Sequence, residues 1–332
     1  MPTVTLSNRK SFEARVDATL LDAAKAAGIV LEHSCRTGRC GTCKAKIVDG
    51  GTTALKSDLF LGAAEKAGGW ILTCATAASG DLRLDIEDLG LPADVVTRTL
   101  PCRIDSLERL APDVMKVVLR LPPKTNFRYV AGQYIDLIGK DGLRRSYSIA
   151  NSANSGEADG KLELHVRQVE GGVMSVYLFE QAQTGDLLRF EGPLGTFFLR
   201  DVAALDLMFL ATGTGIAPVK SMLAELSARP VDERPRSVSL YWGGRHPPDL
   251  YWMPNAALSG LRYTPILSRA DERWSGVRGH VQNALLADSP AWERTTVYAC
   301  GSAEMIDDAR SALAAAGLPA GRFRSDAFVS ST

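Results

Sequence analysis

The stretch 35-CRTGRCGTC-43 sets three cysteines and two glycines within nine residues, and a fourth cysteine follows thirty-one residues later in 70-WILTCATA-77. The spacing Cys35-x4-Cys40-x2-Cys43, completed by Cys74, is that of thiolates wrapping a plant-type [2Fe–2S] cluster. Gly38 and Gly41 let the backbone bend tightly there and turn N–H groups toward sulfur. A structural zinc site is the alternative reading of Cys35, Cys40, Cys43 and Cys74. Zinc ribbons and knuckles bring their cysteines as two close pairs, whereas here three stand on one side and one on the other.

A chain of 332 residues exceeds one ordinary core and predicts two or three domains. An apolar fraction of 45% and a charged fraction of 23% are those of a soluble globular protein. Lysine plus arginine, 38, equals aspartate plus glutamate, 38, so no global charge points to nucleic acid or a membrane surface. MPTVTLSNRK lacks the apolar core of a signal peptide, and no apolar run is long enough to cross a bilayer. The expectation is a cytoplasmic protein. In that reducing compartment six cysteines argue for metal or redox chemistry over a disulfide framework.

Residues 1–92 read as a small α+β unit. TVTLS (3–7) and FEARV (12–16) alternate like two strands, Thr19 caps the helical pattern LLDAAKAAG, and DLRLDIE (81–87) alternates as a closing strand. Proline-marked, weakly patterned residues 93–101 form the expected linker. Residues 102–203 hold short alternating runs between glycine and proline turns, the pattern of an antiparallel β-barrel. Residues 204–332 alternate apolar strands with helices, the pattern of an α/β parallel sheet.

Four motifs in these later regions carry chemistry. The runs 145-RSYS-148, 165-HVR-167 and 171-GGVMS-175 offer arginines for a pyrophosphate, a glycine turn with N–H groups, and an aromatic face for a planar ring. In 208-MFLATGTGIAPVKSML-223 an apolar strand meets a glycine turn and a helix start. Thr212, Gly213, Thr214 and Gly215 permit close approach to a phosphate at the helix N-terminus. Pro218 stands where a third glycine is usual and suits a first helical turn. The run 300-CGS-302 lies between a strand and a helix, and Phe328 lies in the terminal SDAFVSST. The alternative readings are a small core thiol at Cys300 and a hydrophobic tether at Phe328. Histidines 33, 165, 246 and 280 make no ligand set, and His33 reads as local packing.

Together these motifs resemble the three-domain reductases of the ferredoxin–NADP reductase superfamily, over essentially the whole chain. The resemblance implies a β-grasp-like ferredoxin domain, an FAD-binding β-barrel and a nicotinamide-binding α/β domain. It implies that Arg145 meets the FAD phosphates, that Tyr147 lies along the isoalloxazine, and that Ser148, after Ser146, hydrogen-bonds near the reactive flavin nitrogen. His165, Val166 and Arg167, with the turn Gly172, Val173, Met174 and Ser175, complete the implied FAD site. Thr212 to Gly215, Pro218, Cys300 and Gly301 would hold the nicotinamide dinucleotide, with Cys300 near the nicotinamide and Phe328 covering the flavin face.

The implied activity carries electrons from NADH through FAD and the [2Fe–2S] cluster to a partner protein. This domain order is that of the reductase components of bacterial multicomponent oxygenases, the leading reading. AGQYIDL, RRSYSIAN, LHVR, GTFF, APVKSM, YACGS and SDAFV also resemble the CDP-6-deoxy-Δ3,4-glucoseen reductases, which serve a sugar dehydrase. A non-enzymatic redox sensor or carrier is a third reading, opposed by Gly213, Gly215, Cys300, Gly301 and Phe328. In 264-TPILSRADERW-274, Ser268 and Arg269 could grip a 2′-phosphate, yet the oxygenase reductases mostly use NADH, so NADH is expected to work and NADPH to be tolerated. Arg36, Arg39, Lys44 and Lys46 crowd the cysteine loop with only Glu32 nearby in sequence, a basic rim suited to an acidic partner. A monomer is expected.

Overall fold

The computed structural model describes residues 1–92, 94–139, 141–152, 160–254 and 260–328. Ala93 of the expected linker and the tail beyond Phe328 lie outside the described residues. Contacts divide the chain into two units, Met1–Ala93 and Asp94–Thr332.

In the first unit β1 (Thr3–Thr5) and β2 (Ser11–Glu13) form an antiparallel hairpin. They are shorter than the alternation at 3–7 and 12–16 suggests. Helix α1 (Leu20–Ala26) starts where Thr19 accepts the Asp22 N–H, and it buries Leu20, Leu21, Ala23 and Ala24. Then come β3 (Lys44–Ala54), α2 (Ala63–Ala67), β4 (Trp70–Leu72) and β5 (Thr76–Leu84). The sheet order is β2-β1-β5-β3-β4, with β5 parallel to β1. The closing strand begins at Thr76 and ends at Leu84, earlier than 81–87, because its partner β3 is long enough to pair with Thr76. Val4, Phe12, Leu20, Leu72 and Leu82 meet in the core.

The second unit opens with β6 (Arg98–Ala111), β7 (Val114–Arg120), β8 (Tyr134–Ile138), β9 (Arg144–Ser148) and β10 (Lys161–Arg167). Helix α3 (Val173–Val176) and strand β11 (Leu187–Leu194) follow. All pairings are antiparallel, in the order β10-β7-β6-β11-β8-β9. An isolated bridge, Ile149 to Leu164, and the bond from Ala150 N–H to the Glu163 carbonyl (2.8 Å) bring the two edge strands together. Strand β6 starts inside the expected linker. Pairing of Arg98 to Arg103 with β11 supplies order that the prolines at 92 and 101 hide in the sequence.

The remaining elements are β12 (Asp206–Thr212), α4 (Ile216–Ala228), β13 (Ser237–Gly244), β14 (Leu261–Leu267), β15 (Val277–Arg278), α5 (Val281–Ala287), β16 (Thr295–Ser302), α6 (Ala303–Ala315) and β17 (Phe323–Phe328). The sheet β15-β14-β13-β12-β16-β17 is parallel throughout. Buried on both faces, these strands read as continuous apolar runs. From β12 the chain winds outward through β13 and β14, then returns to the other side at β16. The switch point between β12 and β16 leaves a crevice at the carboxyl ends of the strands.

At that point the backbones nearly touch. A Cβ on Gly215 would sit 2.2 Å from the Cys300 carbonyl oxygen, a backbone atom that cannot swing away. Gly215→Ala is expected to lower stability by about 1–3 kcal/mol, the usual cost of overpacking. Gly321→Ala, where a Cβ meets nothing within 4 Å, is the control. Denaturant midpoints of the two variants check this, and equal midpoints would show that the crevice can relax.

Candidate cofactor sites

The cysteine loop is shaped by its own backbone. Arg36, Gly38 and Gly41 have φ of 59°, 75° and 71°, and a Cβ on Gly38 would strike the Ser57 carbonyl at 2.5 Å. The distant fourth cysteine arrives through strand register. Lys44 pairs with Leu72, and Thr73 N–H bonds to the Cys43 carbonyl at 3.0 Å. Cys43 Sγ then lies 3.2 Å from Cys74 Sγ, while the Cys35 and Cys40 thiols bond to each other. Hydrogen bonds from the Cys40 and Cys43 thiols push Cys35 and Cys74 below the ordinary thiol range and their partners above it. The Gly38 N–H also favours charge on Cys74, and the Thr37 N–H reaches Cys35 Sγ at 3.4 Å.

Four sulfurs in two adjacent pairs fit a two-iron cluster with two thiolates per iron. No group of three or more His, Cys, Asp and Glu suited to one metal ion occurs among the described residues. His33 does pack locally: its Nδ1 lies 2.8 Å from the Leu31 carbonyl, and burial pulls its pKa down to about 4. The rim differs from the sequence expectation, which found only Glu32 near it. The fold brings Asp22 within 3.6 Å of Arg36 and pairs Glu65 with Lys44, which also lies over the Trp70 ring.

On β9, alternation puts Arg145 and Tyr147 on one face. Tyr147 is half-buried, Ser148 is buried, and the Ser146 hydroxyl donates to Asp136 at 2.6 Å. The turn into α3 lies by the same hairpin, since Met174 Cε would sit 3.1 Å from a Cβ on Gly139, just past β8. Ser175 does not point its hydroxyl outward. It donates to the Gly172 carbonyl at 2.9 Å and accepts the Val169 N–H at 3.1 Å, bracing the turn. Val173 is exposed on that turn. An exposed N–H-bearing turn beside a strand with an arginine and a tyrosine on one face fits a diphosphate carrying a flat ring.

The crevice of the parallel sheet is a cavity of about 540 Å³. Its wall includes Thr212, Gly213, Thr214, Gly243, Gly244, Ser268, Gly301 and Phe328, with the cations Arg167 and Arg245. Gly213 has a φ of 53°, its carbonyl accepts the Trp242 indole N–H at 3.0 Å, and the Arg167 guanidinium lies against it. A wall of glycine backbone with two arginines fits a dinucleotide diphosphate. Pro218 falls in the first turn of α4.

Not every sequence candidate reaches the cavity. Cys300 is fully buried among Phe209, Ala211 and Tyr298; burial pushes its thiol well up, and the Asp326 carboxylate adds to this. Only its neighbours Gly301 and Ser302 line the wall. Arg269 is exposed and is not among the lining residues, although its N–H bonds to the Arg245 carbonyl at 3.0 Å. Val166 is core, and His165 is buried at the seam between the two sheets. Sequence reading missed Arg245, Asp249, His280, Gln282, Glu304 and Asp308, which line the cavity. Asp249 fixes its loop by accepting the Arg245 and His246 N–H groups at 2.7 and 3.1 Å. The signal available was 243-GGRHPPD-249, a glycine pair ending a strand before a prolyl turn.

Glu163, on β10, is held by opposing effects. Burial pushes its carboxyl up, but bonds from His165 (2.8 Å) and Lys220 (2.7 Å) prevail and bring it down to about 2. A folded pKa below the unfolded value of 4.5 adds stability that is present above 4.5 and lost as pH falls toward 2. Glu163→Gln is expected to be less stable at neutral pH and to show a flatter fall in unfolding free energy across that window. Denaturant titrations from neutral to acid pH read the slope directly.

Three family models match the chain. They are the 2Fe-2S iron-sulfur cluster binding domain over residues 4–79, the oxidoreductase FAD-binding domain over 101–199 and the oxidoreductase NAD-binding domain over 209–311. The CDP-6-deoxy-L-threo-D-glycero-4-hexulose-3-dehydrase reductase of Yersinia pestis is 42% identical, over 95% of this chain and 94% of its own. Reductase component 1 of terephthalate 1,2-dioxygenase from Comamonas sp is 33% identical, over 97% of this chain and 95% of its own. The crystal structure of a cytochrome P450 reductase from Amycolatopsis is similar with a TM-score of 0.76 at 28% identity, covering 99% of both chains.

Proposed function

This chain belongs to the iron–sulfur flavoprotein reductases that join 2Fe-2S, FAD-binding and NAD-binding domains, and from that premise we propose which residues hold each cofactor and where the electrons leave. It is an NAD(P)H-dependent oxidoreductase. When bound, the nicotinamide supplies a hydride, the flavin takes two electrons and releases them singly, and the cluster carries one. Cys35, Cys40, Cys43 and Cys74 bind the cluster as thiolates, with the Gly38 and Thr37 N–H groups orienting toward sulfur. Arg145 and the Gly172–Ser175 turn hold the FAD diphosphate, Tyr147 carries the ring, and Ser148 meets its reactive edge. Gly213 to Gly215 and Gly301 cradle the dinucleotide, and Phe328, partly exposed at the cavity wall, screens the flavin face. Cys300 acts through its backbone, which shapes the crevice, and the buried thiol packs.

The observation that carries this reading is the pairing of Cys43 with Cys74 across thirty-one residues, opposite the pair Cys35–Cys40. Cys74→Ser is expected to bleach cluster absorbance while FAD stays bound. NADH-to-ferricyanide turnover should survive, and one-electron reduction of a cytochrome should collapse. A full complement of iron in that variant overturns the four-cysteine assignment.

NADH is the working coenzyme, with NADPH tolerated. Asp249, Glu304 and Asp308 share the cavity with Arg167 and Arg245, a balance that does not favour a further phosphate charge. The acceptor is a separate protein. Oxygenase components are the acceptor class of the terephthalate and phenol systems among the relatives. The higher identity of the Yersinia protein, 42%, specifically favours the second reading, a sugar dehydrase. The chain acts as a monomer in the cytoplasm, a compartment that suits six cysteines of which none is in a disulfide. No helix among the described residues is long and apolar enough to cross a membrane.

The acceptor docks at the rim of Arg36, Arg39, Lys44 and Lys46. Asp22 and Glu65 blunt the rim without removing its excess of charge, and such charges set encounter rates. Converting Arg36 and Arg39 to glutamate should slow reduction of the purified acceptor at low salt, with little change in ferricyanide turnover. Running that assay with an oxygenase component and with a sugar dehydrase identifies the partner class. Wild-type rates for the double variant in dilute buffer would place docking elsewhere.

A further inference from the structure

The antiparallel and parallel sheets of the second unit meet at a seam that holds a directional polar chain. His165 on β10 is buried, with Nε2 2.8 Å from Glu163 Oε1 and Nδ1 3.2 Å from the Tyr251 hydroxyl. The same Glu163 oxygen receives Lys220 Nζ at 2.7 Å. A carboxylate only accepts, so Nε2 of His165 carries the proton and Nδ1 accepts from the Tyr251 O–H. The chain therefore runs from Tyr251 to His165 to Glu163, met from the far side by the Lys220 ammonium. Burial lowers the His165 pKa, the hydrogen bond and charge of Glu163 oppose this, and the nearby Lys220 and Lys116 add to the lowering.

Both far ends of this chain belong to the nucleotide side. Lys220 stands on α4, the helix that continues from Gly215. Tyr251 meets Trp242 edge-on at 5.2 Å, and the Trp242 indole N–H is bonded to the Gly213 carbonyl. Ser221, beside Lys220, donates to the Asn151 carbonyl at 2.8 Å, and the Asn151 side chain accepts the Glu163 N–H at 2.9 Å. The near end, β10, is bridged at Leu164 to Ile149, the residue after Ser148. One shared carboxylate thus lies between the glycine turn and the strand carrying Tyr147 and Ser148.

We propose that Glu163, His165, Lys220 and Tyr251 form a positioning network that locks the glycine turn to the flavin-side strands and sets how closely nicotinamide approaches flavin. This rests on the assignment of FAD to β9 and of the nicotinamide dinucleotide to the Gly213 turn. Two coenzymes held by separate sheets are aligned only as well as the seam between the sheets, and misplacement by about 1 Å costs on the order of a hundredfold in rate. Apolar contacts tolerate sliding, whereas charge-assisted bonds to one oxygen do not.

The test compares Tyr251→Phe, Lys220→Met and Lys220→Arg in the full chain loaded with FAD. Anaerobic stopped-flow with saturating NADH should show flavin reduction slowed about tenfold or more in the Phe and Met variants, by loss of alignment. NADH affinity should change less than about threefold, as expected when binding is kept and geometry lost. Lys220→Arg should recover most of the rate. A second readout needs no coenzyme: hydrogen exchange of the α4 amides should quicken in the Phe and Met variants while β6 and β7 stay protected. Wild-type reduction rates, or unchanged α4 exchange, in Tyr251→Phe and Lys220→Met overturn the network. Failure of the wild-type protein to reduce its flavin with NADH would instead overturn the coenzyme assignment on which it rests.

Discussion

Where β12 and β16 end, two backbones approach so closely that no side chain fits between them. A Cβ on Gly215 would meet the Cys300 carbonyl, and a Cβ on Gly301 would lie 2.1 Å from the Thr212 hydroxyl oxygen. Side chains such as Arg245, Asp249 and Glu304 line the rest of the crevice, but this part is walled by main chain, with peptide N–H and C=O groups held by the sheet itself. Such donors need no rotamer fixed before an anion arrives, which lowers the entropic cost of binding. Beside this close approach the left-handed turn at Gly213 presents its carbonyl to the Trp242 indole N–H, and Tyr251 packs edge-on against Trp242.

The cysteine loop solves a similar problem by different means. Three sulfurs can be gathered by local turns, but the fourth needs a strand pair to carry it in. The β3–β4 register delivers Cys74 opposite Cys43, and α2, between those strands in sequence, supplies Glu65 to Lys44. Gly41 matters for what lies behind the loop: a Cβ there would strike the Phe60 ring at 2.3 Å. The loop is thus shaped from outside by the 57–60 segment as much as by its own glycines, and Asp58 holds that segment by accepting the Phe60 and Leu61 N–H groups.

Much of this was legible in the sequence because the decisive residues are unusual. Cysteines at short fixed spacing, glycine pairs ending apolar strands and an alternating Arg-x-Tyr-Ser each restrict the backbone or the chemistry strongly. What stayed hidden depends on distant pairing. Nothing near Arg36 or Lys44 in sequence announces Asp22 or Glu65, and Tyr251 is 86 residues from His165. The resemblance sets Ser175 in a phosphate turn, where its hydroxyl finds backbone partners three and six residues away. The resemblance sets Cys300 near the nicotinamide, but the parallel neighbours Ala211 and Asp326 enclose its thiol. Glu304 and Asp308 belong to the amphipathic pattern of α6, and only the topology turns them toward the cavity.

The seam between the sheets shows why charge is kept where packing alone would hold. A buried ion pair adds little net stability, because desolvation cancels most of the attraction, and an apolar pair of equal volume would often serve as well. What the apolar pair lacks is direction. Glu163 receives Lys220 and His165 on one oxygen, so a shift of α4 along β10 would break charge-assisted bonds whose geometry an apolar pair would not enforce. Ser221 and Asn151 add a second fixed point one residue along the helix, and two points define an orientation where one defines only a distance. The polar seam therefore contributes register more than stability. That is the quantity that matters to a protein whose reaction depends on the spacing of groups held by different sheets.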